Sequence, residues 1–259
     1  AAQAYAADQG YDLQDYEFVL SFQQDSSASY YLQRILGIPE TNRLIREEAL
    51  PVWYWQARWF RPLQKEEFGV SLATDGRVIG FSHRILESDP GADLSQEQAH
   101  EMAETYLREE CGWDLADWEE ISASSETRPA GRVDQTFTWR RRVWSVGESE
   151  LRLSVTVQGD TVGNYDYWVK TPETFWRNFS QRYQVASFIS GASLFLGMLI
   201  IGGILVLAAS QRGKLASLDL SFARFPALLV AGVALASGLN TLSLAKAGYG
   251  TTTDYGLFW

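Results

Sequence analysis

Two histidines are the side chains in this 259-residue sequence whose surroundings most resemble a catalytic motif. The stretch His100-Glu101-Met102-Ala103-Glu104 begins like the zinc motif HExxH, which supplies two histidines one helical turn apart. Glu104 stands where the second histidine must be, so the stretch predicts a surface histidine instead of a metal ligand. His83 follows a predicted hairpin in a strand, and we expect it to be structural.

Cysteine and the acidic pairs offer no stronger site. Cys111 is predicted at a helix C-terminus beside Glu110, where nothing lowers a thiol pKa, and a single cysteine excludes an internal disulfide. No GxSxG, GxGxxG or phosphate-binding glycine loop occurs. The sequence therefore predicts no catalytic, cofactor-binding or metal-binding residue. Four acidic pairs are expected on solvated faces: Glu47-Glu48, Glu66-Glu67, Glu109-Glu110 and Glu119-Glu120.

Charge divides the chain into two unlike parts. Residues 1–184 contain 18 of the 22 Lys and Arg and 30 of the 32 Asp and Glu, which gives them a net charge of about −12. Residues 185–259 have a net charge of about +2. Because a nucleic-acid-binding surface must neutralise phosphates with Lys and Arg, the acidic part excludes nucleic acid as a partner.

Two hydrophobic stretches follow the acidic part. Residues 185–210 contain no charge, and 225–245 lie between Arg224 and Lys246, so each is long enough to predict a transmembrane α-helix. The basic loop 211–224 is expected in the cytoplasm, which places the acidic region outside it. We predict a multi-pass protein of the cell membrane, in contact with membrane lipid. Two further segments are defined: an interfacial helix at 172–184, and residues 246–259 as the start of a truncated membrane region.

The acidic part contains an internal repeat. Residues 10–17 (GYDLQDYE) match 112–119 (GWDLADWE), and 70–80 match 153–163. The offset falls from 102 to 83 between the two matches, so the first copy is expected to contain an insertion near 24–50. Such self-similarity predicts two copies of one structural unit.

Each copy is expected to be one helix on an antiparallel sheet. In the second copy a capping box at Ser95 and Gln98 begins the helix and Gly112 ends it. Alternation in 53–59 (WYWQARW) predicts a strand of the first copy, whose tryptophans fill the core or, as an open alternative, stack on sugars. Three or four strands of the second copy are predicted, at about 117–125, 133–145, 150–158 and 161–170. The fold class is therefore α+β, with repeats at 1–93 and 94–171, followed by two transmembrane helices.

Several stretches resemble one protein family. These are 51–63 (PVWYWQARWFRPL), 65–85 (KEEFGVSLATDGRVIGFSHRI), 114–119 (DLADWE) and 154–160 (SVTVQGD). They are similar to the N-terminal region of bacterial CAAX-type (CPBP family) intramembrane proteases, whose soluble region resembles tandem PepSY-like units. The resemblance implies a fragment of a membrane endopeptidase that acts on a peptide or protein substrate.

The catalytic motifs of that family are absent from this chain. The family uses Glu-Glu-x-x-x-Arg and Phe-x-x-x-His, and the arginine positions after the four acidic pairs are Val52, Ser71, Asp114 and Ser124. The resemblance therefore implies that the catalytic helices, with a divalent metal such as zinc, lie beyond residue 259. The alternative is a non-enzymatic membrane protein whose PepSY-like domain binds a peptide, a protease or cell-wall glycan.

Overall fold

A computed structural model describes residues 1–48, 50–177, 179, 193, 195–197, 199, 224–240, 242–252 and 255. The chain divides into two compact units. One unit consists of Ala1–Pro172 together with Ser243–Trp259, and the other of Glu173–Leu242.

The first unit is built on one antiparallel sheet of eight strands. They are β1 Glu17–Gln24, β2 Trp53–Phe60, β3 Glu67–Ala73, β4 Val78–Arg84, β5 Trp118–Thr127, β6 Val133–Arg141, β7 Glu150–Gln158 and β8 Thr161–Lys170. Their order across the sheet is β1-β2-β3-β4-β8-β7-β6-β5. The helices are α1 Ala2–Asp8, α2 Ser26–Leu36, α3 Ile38–Glu47 and α4 Gln96–Glu109, with a short 3-10 helix at Leu115–Asp117.

The two repeats have the same order of elements. Helix α1 with β1–β4 corresponds to α4 with β5–β8, and α2 and α3 lie between β1 and β2. Gly10 and Gly112 follow the two equivalent helices with φ of +83° and +71°, a conformation in which glycine avoids the strain of a Cβ. The capping box of Ser95 and Gln98 is confirmed, as are the four strands predicted in the second copy, although β6 ends at Arg141.

The predicted fold class needs correction. Its α+β character agrees with the structure, but each repeat contributes four strands to one continuous sheet because β4 pairs with β8. The prediction of two transmembrane helices is wrong for the described part of the chain. No helix there has both the length and the apolar character that a bilayer crossing requires. Helix α5, Arg224–Asn240, has 17 residues, fewer than the roughly 20 that span a hydrocarbon core.

Other predicted segments fall largely outside the described residues. Most of 185–210 and almost all of the loop 211–224 lie there. Of the predicted interfacial helix at 172–184, residues 173–177 and 179 are helical. The predicted segment 246–259 begins inside a short helix, α6, which spans Leu242–Ala247. The described residues after α6 pack against the sheet.

The sheet has two chemically different faces. On the helix face, α1 and α4 pack over buried side chains of both repeats: Phe68, Val70, Phe81, Leu153, Val155 and Tyr165. The alternate residues form the polar face, which includes Gln56, Ser71, Ser154 and Asp166. Because successive side chains of a strand point to opposite sides, this division follows from the alternating pattern of the strands.

The segment after α6 packs onto the polar face at the edge of the sheet formed by β1 and β2. Tyr249 is 1% exposed and forms a small core with Val19 and Phe60. The guanidinium of Arg58 donates to the carbonyl oxygens of Ala247 and Tyr249 at 3.0 and 2.7 Å. Residues more than 180 positions apart are thereby held together by one aromatic side chain and one arginine.

A buried ion pair holds the linker between the repeats. The carboxylate of Asp134 in β6 accepts from Arg132 Nε at 2.8 Å and Arg128 Nε at 2.6 Å. Arg132 also donates to the carbonyl oxygens of Leu86 and Asp89. Burial opposes ionisation of Asp134, but the hydrogen bonds from Arg132 and Arg128 outweigh it and lower the pKa of Asp134.

We expect Tyr249→Ala to lower the free energy of unfolding of the 259-residue chain by about 3 kcal/mol, because it leaves a cavity between Val19 and Phe60. Tyr249→Phe retains the ring and is the matched control, with an expected cost below about 1 kcal/mol. Urea unfolding followed by circular dichroism measures both. Equal stability of the alanine variant and the parent would show that the segment does not contribute to the core.

We expect Asp134→Asn to cost about 3 kcal/mol at pH 7, since it leaves the Arg132 guanidinium buried without its counter-charge. Because the folded pKa of Asp134 is lowered, its contribution is present above about pH 4 and is lost as the pH falls through the folded value. Glu126→Gln, which removes only an exposed partner of Arg128, is the control. Unfolding curves at pH 7 and pH 3 measure this effect. The difference in free energy of unfolding between the parent and Asp134→Asn should be smaller at pH 3.

Candidate functional site

A row of small polar residues crosses the polar face from one repeat to the other. Each of these residues pairs with the next in the sheet: Ser21, Gln56, Ser71, Gly80, Asp166, Ser154 and Thr138. We call this the cross-sheet row. Because serine and glycine occupy little space, its centre is the floor of a groove of about 590 Å³.

The walls of the groove come from three parts of the chain. The first turn of α2 supplies Asp25 and Ser26, while Tyr54 of β2 and Trp168 of β8 supply aromatic rings. Asp25 is held in place as the N-cap of α2, where its carboxylate accepts from the backbone N–H of Ala28 at 3.0 Å. The insertion of the first repeat and one strand from each repeat therefore meet at this groove.

The floor of the groove contains a carboxylate without a cation. Asp166 accepts a hydrogen bond from Asn164 Nδ2 at 2.6 Å, and no basic side chain in the described parts of the chain forms an ion pair with it. Its surroundings remove part of its hydration, which raises the pKa of Asp166. Burial also raises the pKa of Tyr54, and the negative charges of Asp25 and Asp166 raise it further.

The other polar side chains at the centre of the cross-sheet row are uncharged hydrogen-bonding groups. Ser71 Oγ donates to Gln56 Oε1 at 2.7 Å, and Gln56 Nε2 donates to the Ala57 carbonyl oxygen at 3.3 Å. The second amide proton of Gln56 and the hydroxyl of Ser154 are the groups near the floor that can contact a ligand. The groove thus combines one unpaired carboxylate, two aromatic walls and several neutral polar groups. This chemistry suits a ligand with a positive charge and an extended, hydrogen-bonding backbone.

His83 is not among the residues that line the groove, and its contacts are with an aromatic ring and a carboxylate. Its ring stacks on Phe68 with centroids 4.2 Å apart, and its Nε2 lies 3.0 Å from Glu66 Oε1. Glu66 also accepts from the Tyr16 hydroxyl, and Glu67 is paired with Arg58 with only 13% of its side chain exposed. The prediction of a solvated face is therefore wrong for Glu67, whereas the Glu66 side chain is 39% exposed.

His100 and Cys111 have structural surroundings too. His100 is only partly exposed, lies 2.9 Å from Glu120 and contacts the edge of Phe137. Burial raises the pKa of the Cys111 thiol to about 12, which disfavours a thiolate. Across the described ranges, no group of three His, Cys, Asp or Glu side chains is placed to bind a metal ion.

The groove residues were missed by sequence reasoning because they are far apart in the chain. Asp25 belongs to the insertion, Tyr54 to the first repeat, and Asp166 and Trp168 to the second. One signal was available: the aligned stretches 70–80 and 153–163 place a serine at the same position in each repeat, Ser71 and Ser154. That match does not indicate that the two serines face a common groove.

The chain was compared with protein-family models, curated proteins and solved structures, and none of the three comparisons found a match.

We expect Asp166→Asn to stabilise the fold slightly at pH 7, by roughly a few tenths of a kcal/mol, because solvent reaches the carboxylate and screens its charge. A raised folded pKa means that Asp166 costs stability above that pKa, and that this cost disappears as the pH falls toward about 4. Unfolding curves of parent and variant at pH 3.5 and 7 test the sign of the stability difference, and a side-chain NMR titration of Asp166 tests the direction of its pKa shift. A variant less stable than the parent at pH 7 contradicts it.

Proposed function

We propose that the eight-stranded domain is a non-catalytic binding module that takes a lysine or arginine side chain of an extended polypeptide into the groove. The observation that carries this proposal is the carboxylate of Asp166, which lies on the groove floor with Asn164 as its hydrogen-bond donor and, among the residues that the structure describes, with no cation beside it. A bound ammonium or guanidinium group supplies the missing counter-charge.

The groove walls and the domain charge support the same class of ligand. The rings of Tyr54 and Trp168 line the groove, and aromatic faces attract cations. The net charge of about −12 in residues 1–184 attracts a basic ligand and repels an acidic one. Gln56 and Ser154 provide hydrogen-bonding groups for the ligand backbone.

The endopeptidase activity stays a prediction that rests on the resemblance alone. Its metal site is a prediction of the same kind, whereas the location of the domain outside the cytoplasm is a prediction from the basic loop 211–224. A module that binds basic segments is compatible with a protein that selects polypeptide substrates. The binding proposal does not require that activity.

We expect the labelled peptide Ala-Ser-Ala-Lys-Ala-Ser-Ala to bind the 259-residue chain at least tenfold more tightly than the same peptide with norleucine in place of lysine. Asp166→Asn should weaken binding of the lysine peptide about tenfold, which corresponds to about 1.4 kcal/mol. Fluorescence anisotropy at low and high salt measures both effects, and salt should weaken binding of the lysine peptide only.

Asp160→Asn is the matched control, since Asp160 is an exposed acid in the β7–β8 turn outside the groove. It should bind the lysine peptide like the parent. If Asp160→Asn weakened binding as much as Asp166→Asn, the effect would come from the overall charge of the domain and not from the groove. Binding of a chitin oligosaccharide, but of neither peptide, would favour the glycan alternative and overturn this proposal.

A further inference from the structure

The wall of the groove contains a second carboxylate, that of Asp25. Within the described part of the chain its side chain accepts one hydrogen bond, from the backbone N–H of Ala28 to Oδ1 at 3.0 Å. Because a carboxylate has about four lone-pair sites, most of the accepting capacity of Asp25 remains. Like Asp166, it forms no ion pair with a basic side chain of a described residue. The residues that line the groove include no lysine, arginine or histidine.

Both carboxylates lie close to one aromatic side chain, that of Tyr54. Burial raises the pKa of the Tyr54 hydroxyl, and the next contributions are the negative charges of Asp25 and Asp166. Since the interaction between charges falls with distance, the two carboxylates must both be near this hydroxyl. A cation bound at either one also lies near an aromatic wall of the groove, which attracts positive charge.

Capping of α2 does not require the charge of Asp25. Asparagine and serine cap a helix about as well as aspartate does, so the hydrogen bond to Ala28 accounts for a polar residue at this position but not for a negative one. The cap does hold the Asp25 side chain in one orientation at the start of α2. The groove therefore contains two carboxylates whose separation is fixed by the fold.

The groove has room for more than one side chain of a ligand. Its volume of about 590 Å³ lies within the range of pockets that hold drug-sized ligands, roughly 300–1,000 Å³. In an extended polypeptide, residues i and i+2 point to the same side and are about 6.6 Å apart, whereas adjacent residues point to opposite sides. Two flexible basic side chains at i and i+2 can therefore enter the groove together.

From these two carboxylates in one groove we infer that the ligand is an extended polypeptide with basic residues at positions i and i+2, one bound at Asp166 and the other at Asp25. The inference rests on the proposed function and adds Asp25 as the residue that selects the second basic side chain. The net charge of the domain attracts any basic polypeptide. The fixed pair of carboxylates favours one spacing of the positive charges.

The test compares binding of the labelled peptides Ala-Ser-Ala-Lys-Ala-Ser-Ala and Ala-Ser-Ala-Lys-Ala-Lys-Ala to the 259-residue chain by fluorescence anisotropy. We expect the second lysine to tighten binding about fivefold, the upper end of what a solvent-exposed ion pair contributes. This gain exceeds the factor of about two that a second binding register gives. Asp25→Asn should remove the gain and leave binding of the single-lysine peptide within about twofold. Asp166→Asn should weaken binding of both peptides.

Folding of the Asp25 variant is checked by circular dichroism. Because asparagine is as good an N-cap as aspartate, Asp25→Asn should keep the parent spectrum, and Asp25→Ser serves if it does not. Asp160→Asn, outside the groove, is the charge control and should retain the gain from the second lysine.

The outcomes separate this inference from the proposed function. If neither peptide binds, both are overturned. If the single-lysine peptide binds through Asp166 but the second lysine adds nothing, or adds as much with Asp25→Asn as with the parent, only this inference is overturned. An equal gain from the adjacent pair in Ala-Ser-Ala-Lys-Lys-Ser-Ala overturns it as well, since only the charge of the peptide would then matter. So does tighter binding of spermidine than of the two-lysine peptide, because the ligand would then be a free polyamine.

Discussion

The domain depends on a short antiparallel contact between β4 and β8, in which Gly80, Phe81 and Ser82 pair with Asp166, Tyr165 and Asn164. This contact joins two four-stranded halves into one sheet. On the helix face it is covered by tyrosines from both repeats: Tyr5 of α1 contacts Phe81, Tyr106 of α4 contacts Tyr165, and the hydroxyls of Tyr5 and Tyr106 are hydrogen-bonded. A sheet interrupted here would expose both clusters to water.

The same contact explains why the two faces differ. Large aromatic side chains fill the helix face at the junction, so the residues between them on the polar face are free to be small. Gly80 illustrates the limit, because a Cβ added there would lie 3.1 Å from Ser71 Oγ. Stability is supplied on one side of the junction, and space for a ligand remains on the other. The groove is therefore a result of how the repeats join and not of either repeat alone.

Local features were predictable from sequence, whereas features that depend on the joining of the repeats were not. The capping box at Ser95, the helix ends at Gly10 and Gly112 and the strands of the second repeat all follow from signals within a few residues. No local signal specifies that Gly80 pairs with Asp166 or that Asp25 and Trp168 line the same groove. Alternation in β2 identified the side of the strand on which Trp55 lies, but it did not reveal that this ring is 42% exposed. The uncharged run that predicted a second membrane span corresponds in part to the 17-residue helix Arg224–Asn240.

The chain leaves the sheet after Pro172 and is fastened to it again by Tyr249 and Arg58. Residues 173–242 thus form an intervening segment of 70 residues anchored at both ends in the same body. Holding the two ends together costs closure entropy that grows with the logarithm of the segment length. A single proteolytic cut inside the segment removes that constraint and leaves two fragments joined without a covalent bond. The fraction of nicked protein that still runs as one particle on gel filtration therefore reports how strongly the contacts of Tyr249 and Arg58 hold the C-terminal fragment to the sheet.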